Sequence, residues 1–184
     1  TLQFSEGHVM QRVILGVGGG IVLKQYVLGD ASDIFWLIEQ SREYLNHYNS
    51  DMPRKYPTER SVYESILWPK NPKRLRLGIW HDTVLVGGIN VAPADDTGGD
   101  PFAEVGYWLG APYEGRGYVA RSLQCLAAYA FNSMGMHMLY ANVLSDHFRS
   151  RRVLERAGFQ KQSGGSGGML GYCLEKSVWV ERLK

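Results

Sequence analysis

The sequence lacks the features that mark several specialised classes of protein. Only 2 of its 184 residues are cysteine, Cys125 and Cys173, and they stand far apart without CxxC or Cys/His spacing. This scarcity argues against a disulfide framework and against a structural zinc site, so we assign no metal ligands. No apolar run reaches the roughly 18 residues of a membrane span, and the N-terminus has no basic segment followed by an apolar one. We therefore expect a cytoplasmic protein with no membrane partner.

The sequence also lacks a dominant charge of one sign. The 20 Lys and Arg residues nearly balance the 18 Asp and Glu residues, which leaves a formal net charge of +2. Such a balance does not indicate nucleic acid as a main partner. What the sequence does have is 45% hydrophobic residues over a length typical of one domain. We therefore expect residues 1–184 to form a single domain.

The spacing of apolar residues predicts a mixed α/β fold, with a mixed sheet and helices on both of its faces. Residues 1–20 are expected to form an extension or a hairpin, and the SGGSGG segment 163–168 a flexible connector. We predict strands over residues 9–15, 21–27, 74–81, 84–91, 102–109 and 137–144, with a final strand or hairpin after Phe159. We predict helices from Asp30 to about Tyr48, after a Ser61–Glu64 capping box, from Gly117 to about Gly135, and over 148–157.

The segment AEVGYWLGAPYEGRGYVARSL, residues 103–123, is the most informative part of the chain. A predicted strand runs into a loop that contains Gly115 and Gly117, and this loop leads directly into an amphipathic helix. Such a helix start presents unpaired backbone N–H groups at the positive end of the helix dipole, as phosphate binding requires. No Lys-Ser or Lys-Thr pair follows the glycines, so a nucleotide-triphosphate P-loop is excluded. On the loop alone, a simple tight turn is an equal alternative.

Several segments together resemble the GNAT superfamily of acetyl-CoA-dependent N-acetyltransferases, in the branch of the ribosomal-protein N-terminal acetyltransferases. The resemblance rests on REYL (42–45), LVGGINV (85–91), AEVGYWL (103–109), EGRGYVA (114–120) and SDHFRSRRVLERAGF (145–159). It implies a mostly antiparallel mixed sheet of about seven strands, splayed in the middle to admit the cofactor. Two residues depart from the usual loop pattern, Glu114 and Val119, and His147 stands where the family has an asparagine.

The resemblance also implies where acetyl-CoA binds. Its pyrophosphate is expected on the backbone amides of the loop and first helical turn, and its pantetheine arm along the preceding strand, with Ser150 and His147 also in contact. Arg116, Arg149, Arg151 and Arg152 are candidates for added positive charge near the phosphates. The cofactor-binding residues are thus Tyr107, Trp108, Leu109, Gly115, Arg116, Gly117, Tyr118, Val119, Ala120, His147 and Ser150.

Acyl transfer from a thioester to an amine needs a base, an oxyanion donor and a proton for the leaving thiolate. Glu104 is the candidate base, because alternation places it on one strand face with Gly106 and Trp108, and apolar neighbours would raise its pKa. The alternative is a structural Glu that pairs with an Arg. The oxyanion donor is expected to be a backbone N–H near Trp108 or Leu109. Ser150 is the family-matched hydroxyl for the acid, although the thiolate could leave without one.

The acceptor is expected to be a primary amine, with a protein or peptide N-terminus favoured by the resemblance. Tyr44, His47, Tyr48 and Glu104 are the candidate substrate-binding residues, with the acidic segment 94–101 nearby. The alternatives are a small amine, such as a polyamine, an aminoglycoside or an amino sugar, and a binding module without catalysis. Neither cysteine is placed as a nucleophile, so we expect direct transfer. A homodimer is left open.

Overall fold

A computed structural model describes residues 12–48, 50–94, 98–163 and 167–182. The strands found in these residues are β1 (Ile14–Gly18), β2 (Ile21–Gln25), β3 (Leu75–His81), β4 (Val84–Pro93), β5 (Phe102–Leu109), β6 (Met138–Leu144), β7 (Gln160–Lys161) and β8 (Met169–Glu175). The helices found there are α1 (Ala31–Gln40), α2 (Arg42–His47), α3 (Met52–Lys55), α4 (Glu59–Leu67), α5 (Tyr118–Asn132), α6 (Phe148–Ala157) and α7 (Lys176–Glu181). None of the helices in these ranges is long and apolar enough to cross a membrane.

The strands form one mixed sheet in the order β1-β2-β3-β4-β5-β6-β8-β7. Every neighbouring pair is antiparallel except β5 and β6, which run parallel. This confirms the predicted mixed, mostly antiparallel sheet. The described residues contain eight strands rather than about seven, because the two-residue β7 adds a short edge beside β8.

Helices cover both faces of the sheet, as predicted. On one face, α1 and α4 pack over Trp80 and Leu85 with the buried residues Ile34, Ile38 and Val62. On the other face, α5 and α6 pack over the central strands in a larger core that includes Leu123, Leu126, Leu154, Ile89 and Val105. Both helices present one apolar face to the sheet, which is the usual reason why such helices are stable.

The sheet opens in its middle, between β5 and β6. These strands pair over three positions, Phe102–Glu104 against Met138–Tyr140. Beyond Glu104 no further β5–β6 pairing is found in the described residues, although β5 stays paired with β4 as far as Leu109. Gly87 of β4 faces this open stretch of β5, where a Cβ atom would lie 2.4 Å from the Trp108 carbonyl oxygen. The predicted splay is therefore present.

Several predicted boundaries are wrong in the first third of the chain. The first strand was predicted over 9–15 but spans Ile14–Gly18, because a bulge between Gly16 and Gly18 carries the pairing up to the turn. Residues 1–11, where this prediction began, lie outside the described ranges. The helix predicted from Asp30 to Tyr48 is interrupted at Ser41, whose hydroxyl accepts a 3.0 Å hydrogen bond from the Ala111 amide.

The predicted helix start at Ser61 is also wrong, by one turn. Thr58 is the N-cap of α4, and its hydroxyl accepts from the Ser61 amide at 3.1 Å while the Ser61 hydroxyl accepts from the Thr58 amide at 3.2 Å. This reciprocal pair leaves Glu64 free to pair with Arg60. The Asp30 carboxylate stands at the predicted cap position but accepts from the Val27 amide. Two short helices, α3 and α7, were not predicted.

Candidate active site

A cleft of about 1000 Å³ lies where β5 and β6 part, and we call it the inter-strand cleft. Its size is typical of small-molecule sites. The open stretch of β5, the end of β6, the loop before α5 and the first half of α6 form its walls. Its lining includes Tyr44, Tyr48, Glu104, Tyr107, Trp108, Leu109, Glu114, Gly115, Val119, Asn142, Leu144, His147, Arg149, Ser150 and Arg152.

The start of α5 is suited to an anionic ligand. Gly117 is its N-cap with φ 75°, a left-handed conformation that residues with a Cβ rarely adopt, and no side chain caps the helix. In the described part of the chain, none of the amides of residues 115–120 donates to a protein acceptor. These amides stand at the positive end of a 15-residue helix. The helix start therefore has several donors available for a phosphate.

Glu114 places a carboxylate in this loop, but its charge is neutralised locally. One carboxylate oxygen accepts from the Tyr44 hydroxyl of α2, and the other pairs with the Arg149 guanidinium of α6. Burial, followed by the hydrogen bond to Glu114, raises the pKa of Tyr44, so this phenol stays protonated and donates. Glu114 thus joins α2 to α6 and does not occupy the free amides.

His147 caps α6 and contacts Tyr48, the residue that follows α2. Its Nδ1 accepts from the Ser150 amide at 3.3 Å, and its ring stacks on Tyr48 with centroids 4.1 Å apart. Burial lowers the pKa of His147, which keeps the ring neutral and Nδ1 able to accept. Because Nδ1 is used in the cap, the ring nitrogen left to contact a ligand is Nε2.

A pair of hydroxyl groups bridges the inter-strand cleft. The Tyr107 hydroxyl of β5 lies 2.7 Å from Ser150 Oγ and donates to the Ser150 carbonyl oxygen at 3.1 Å. Burial raises the pKa of Tyr107, so its phenol keeps its proton. The Ser150 side chain is therefore held by a residue of the strand that it faces.

Glu104 stands at the point where β5 and β6 part. It is the last β5 residue paired with β6, opposite Tyr140, and its side chain is 38% exposed. Its Oε2 lies 3.3 Å from the Arg74 guanidinium, which also donates to the Asn90 amide oxygen at 2.7 Å. The apolar surroundings predicted for Glu104 are therefore wrong, because Arg74, just before β3, and Asn90 of β4 bring polar side chains beside it.

A second cleft, of about 760 Å³, opens on the sheet face that carries α1 and α4, and we call it the α4-side cleft. Tyr107 and Trp108 line both clefts, so the two meet at the open stretch of β5. The charged and aromatic residues of its lining are Tyr26, Asp51, Lys55, Tyr56, Glu64, Trp68, Lys70, Arg74 and Arg76.

The structure separates the predicted site residues into groups. Tyr44 and Tyr48, predicted to bind the acceptor, line the inter-strand cleft, and His47 packs edge-on against Tyr48 with centroids 4.8 Å apart. Tyr118 is buried and contacts the rings of His81 and Tyr113. Its helix neighbours Val119 and Ala120 follow it in the first turn.

The four predicted arginines do not all face the cleft. Arg149 and Arg152 line it. Arg116 instead lies over the Tyr113 ring, 5.9 Å from its centroid, and Arg151 donates to the Ser145 carbonyl oxygen at 3.1 Å. The cysteines are free, and burial raises the pKa of both thiols, which makes them poor nucleophiles.

Sequence reasoning missed the residues of the α4-side cleft, above all Arg74 and Arg76. A signal for them exists, because two arginines at alternate positions in the predicted strand RLRLGIWH place two charges on one face of the sheet. Charges at interior strand positions are uncommon and indicate a polar pocket. Tyr26 and Tyr56 come from other segments and give no such local signal.

Comparison with known proteins agrees with this geometry. Residues 21–160, more than half of the chain, match the model of a family described as "Acetyltransferase (GNAT) domain". The chain is 35% identical over 60 residues to "Probable N-acetyltransferase YjcK" of Bacillus subtilis (strain 168), over 33% of each protein. It is 27% identical over 95 residues to "Putative ribosomal N-acetyltransferase YdaF" of the same organism, over 52% of this chain and 51% of that protein. The matches thus span a third to a half of these relatives.

A solved structure shares the fold over nearly the whole chain. The ribosomal L7/L12 alpha-N-protein acetyltransferase RimL in complex with coenzyme A superimposes with a TM-score of 0.78. The match covers 90% of this chain and 99% of that one, at 16% sequence identity. At this identity the likeness shows the fold alone.

Proposed function

The chain belongs to the GNAT acetyltransferase family, and from this premise we propose that it transfers an acetyl group from acetyl-CoA to the N-terminal amine of a protein or peptide. The observation that carries the proposal is the meeting of two clefts at Tyr107 and Trp108. Two substrates that each occupy one cleft can meet at this open stretch of β5. RimL, which shares the fold, is itself described as an alpha-N-protein acetyltransferase.

The residues of the inter-strand cleft fit acetyl-CoA. The free amides of residues 115–120 would hold its diphosphate, and the edge of β5 beyond Glu104 would pair with its pantetheine amides. Arg152 lines the same cleft, and the pairing of Glu114 with Arg149 removes a repulsive charge. When bound, acetyl-CoA supplies an acetyl group activated as a thioester.

The side chains around the junction have roles that follow from their positions. Glu104 would accept the proton that an attacking amine loses, directly or through water, and Arg74 would hold its carboxylate in place. A backbone N–H of Trp108 or Leu109 would stabilise the negative charge on the carbonyl oxygen. Ser150, held by Tyr107, would present its hydroxyl to the leaving sulfur. Transfer is direct, without a covalent enzyme intermediate.

Charge favours a peptide acceptor over a polyamine or an aminoglycoside. The α4-side cleft is lined by four cationic residues and two acidic ones. Polyamines and aminoglycosides carry several positive charges, and a wall of the same sign repels them. A peptide brings a single amine on an otherwise neutral chain.

Release of CoA thiol from acetyl-CoA tests the proposal directly. The purified protein would be given acetyl-CoA with a panel of a short peptide with a free N-terminus, its N-blocked form, a polyamine, an aminoglycoside and an amino sugar. We expect thiol release with the free peptide and none with the blocked one. Release with a small amine only would favour the small-molecule alternative. No release, together with a thermal shift by CoA, would indicate a binding module, since saturating ligand at 100 times its Kd stabilises by about 2.7 kcal/mol.

A further inference from the structure

Building on the proposed function, we propose that the acceptor carries a carboxylate close to its reactive amine, as in a peptide with Asp or Glu directly after its first residues. The inference concerns the α4-side cleft and the positive charges in its wall. The proposed function gives the acceptor only as a peptide N-terminus, whereas this inference adds that the peptide has an acidic residue close to that terminus.

Ion pairs within the protein neutralise only part of the charge in this cleft. Lys55 pairs with Asp51, with Nζ 2.5 Å from the carboxylate, and Glu64 pairs with Arg60 at 2.7 Å. These two pairs use both acidic residues of the lining. Arg74 pairs with Glu104 at 3.3 Å, so Lys70 and Arg76 are the lining cations that form no ion pair within the described ranges. Both come from the stretch that leads into and along β3.

Arg76 is the most firmly held of these cations. Its guanidinium donates to the Ser65 carbonyl oxygen at 2.9 Å and to the Tyr56 hydroxyl at 3.1 Å. It also lies over the ring of Tyr26, 5.5 Å from the centroid. All of these partners are neutral, and no carboxylate of the described ranges forms an ion pair with Arg76. Its full positive charge therefore remains in a partly buried wall, where it attracts an anion more strongly than in water.

Lys70 extends this charge toward solvent, and Arg74 lies on the side of the junction, where Glu104 pairs with it. Arg74 contacts Glu104, so it marks the side of the cleft nearest the candidate base. Lys70 is exposed at the rim. Glu104 thus lies in the neighbouring inter-strand cleft, at the junction where the amine must lose its proton, and the cations lie along the wall of the α4-side cleft beyond it. A ligand with an amine at one end and a carboxylate a few ångströms further on matches both.

A peptide series with and without the charge tests the inference. Three peptides would differ only at the third residue, which is Glu, Gln or Lys, and kcat/KM would be measured by thiol release. We expect the Glu peptide to exceed the Gln peptide by about tenfold and the Lys peptide to be the poorest, with the preference weakening at high salt. Lys70→Glu should reduce the Glu-to-Gln ratio. Lys161→Glu, which reverses an exposed charge on β7 at the far edge of the sheet, is the matched control and should leave the ratio unchanged.

The outcomes separate this inference from the function on which it rests. Equal kcat/KM for the three peptides, or the highest value for the Lys peptide, would overturn the inference while the N-terminal acetyltransferase activity stands. An unchanged ratio in Lys70→Glu and in Arg76→Gln, with both variants folded by thermal melting, would also overturn it. Activity on none of the peptides would reject the proposed function itself.

Discussion

The two clefts that meet at β5 are built from different parts of the polypeptide. The inter-strand cleft uses main-chain groups: free amides at the start of α5 and the unpaired edge of β5. The α4-side cleft uses side chains from several separate segments, among them Tyr26, Tyr56, Arg74 and Arg76. Main-chain groups are present whatever the residue, whereas side chains can be exchanged. One site can thus stay suited to a common donor while the other is adapted to a particular acceptor.

Replacing the candidate base should give the largest change in kcat/KM. It should also distinguish catalysis at the junction of the clefts from CoA binding most clearly. Glu104→Gln is expected to lower kcat/KM at least about a hundredfold, because a lost general base typically costs that much. The Kd for CoA should be unchanged, since the amides proposed to hold the diphosphate are main-chain groups at the start of α5 and do not depend on the charge of Glu104. Thiol release and a CoA titration measure the two quantities. Full activity in the variant across the pH range would show that Glu104 is only a structural partner of Arg74.

A substitution at Gly117 should weaken the binding of CoA in the inter-strand cleft without affecting the binding of the acceptor. Gly117→Ala places a Cβ on a residue with φ 75°, a strain of about 1–2 kcal/mol that shifts the start of α5. We expect the Kd for CoA to rise by roughly tenfold while the KM for the acceptor at saturating acetyl-CoA changes little. Gly99→Ala, in an exposed turn without close neighbours, is the matched control. Equal CoA affinity in both variants would exclude the α5 start as the diphosphate site.

Removing the hydrogen bond between the Tyr107 and Ser150 hydroxyl groups should have a smaller effect on stability and on kcat. Tyr107→Phe removes the hydrogen bonds to Ser150, and we expect a loss of about 1 kcal/mol in stability and a lower kcat with little change in the KM values. Tyr63→Phe, an exposed tyrosine of α4, is the control. Ser150→Ala and the double variant Tyr107→Phe/Ser150→Ala complete a double-mutant cycle. If the two single effects on kcat simply add, then Tyr107 does not act through Ser150.

The smallest expected effect concerns His147 and pH. Because burial lowers the pKa of His147 below its ordinary value of 6.5, the unfolded chain binds this proton more readily than the folded chain. The neutral cap therefore contributes its full stabilisation above pH 6.5, and this contribution decreases as the pH falls below that value. Asp146, Glu114 and Arg149 are the charged groups that act on this ring.

His147→Asn tests this assignment, because asparagine also caps helices but does not titrate. Denaturant unfolding between about pH 7 and about pH 5 should show a shallower loss of stability in the variant than in the parent chain. Parallel curves would mean that the histidine contributes nothing to the pH dependence.

The difference between the clefts also explains how much could be predicted from the sequence. Gly115, Gly117 and the strand before them lie close together in the chain, so a local motif predicted the strand, the loop, the helix start and, through the family resemblance, the parted sheet. The Arg74–Glu104 pair joins residues thirty positions apart, and the bond from Ser41 to Ala111 joins residues seventy apart. Such contacts depend on the packed fold, and no periodicity of the sequence encodes them. For this reason the surroundings of Glu104 and the break between α1 and α2 were predicted wrongly.

Gly87 of β4 affects the position of the neighbouring strand β5. A methyl group there would meet the Trp108 carbonyl oxygen and the Leu109 backbone, and it would push β5 away from β4 and toward β6. The width of the gap between β5 and β6 therefore depends on a residue that does not itself line the inter-strand cleft. A substitution at this remote glycine could abolish catalysis in a protein whose every reactive group is intact.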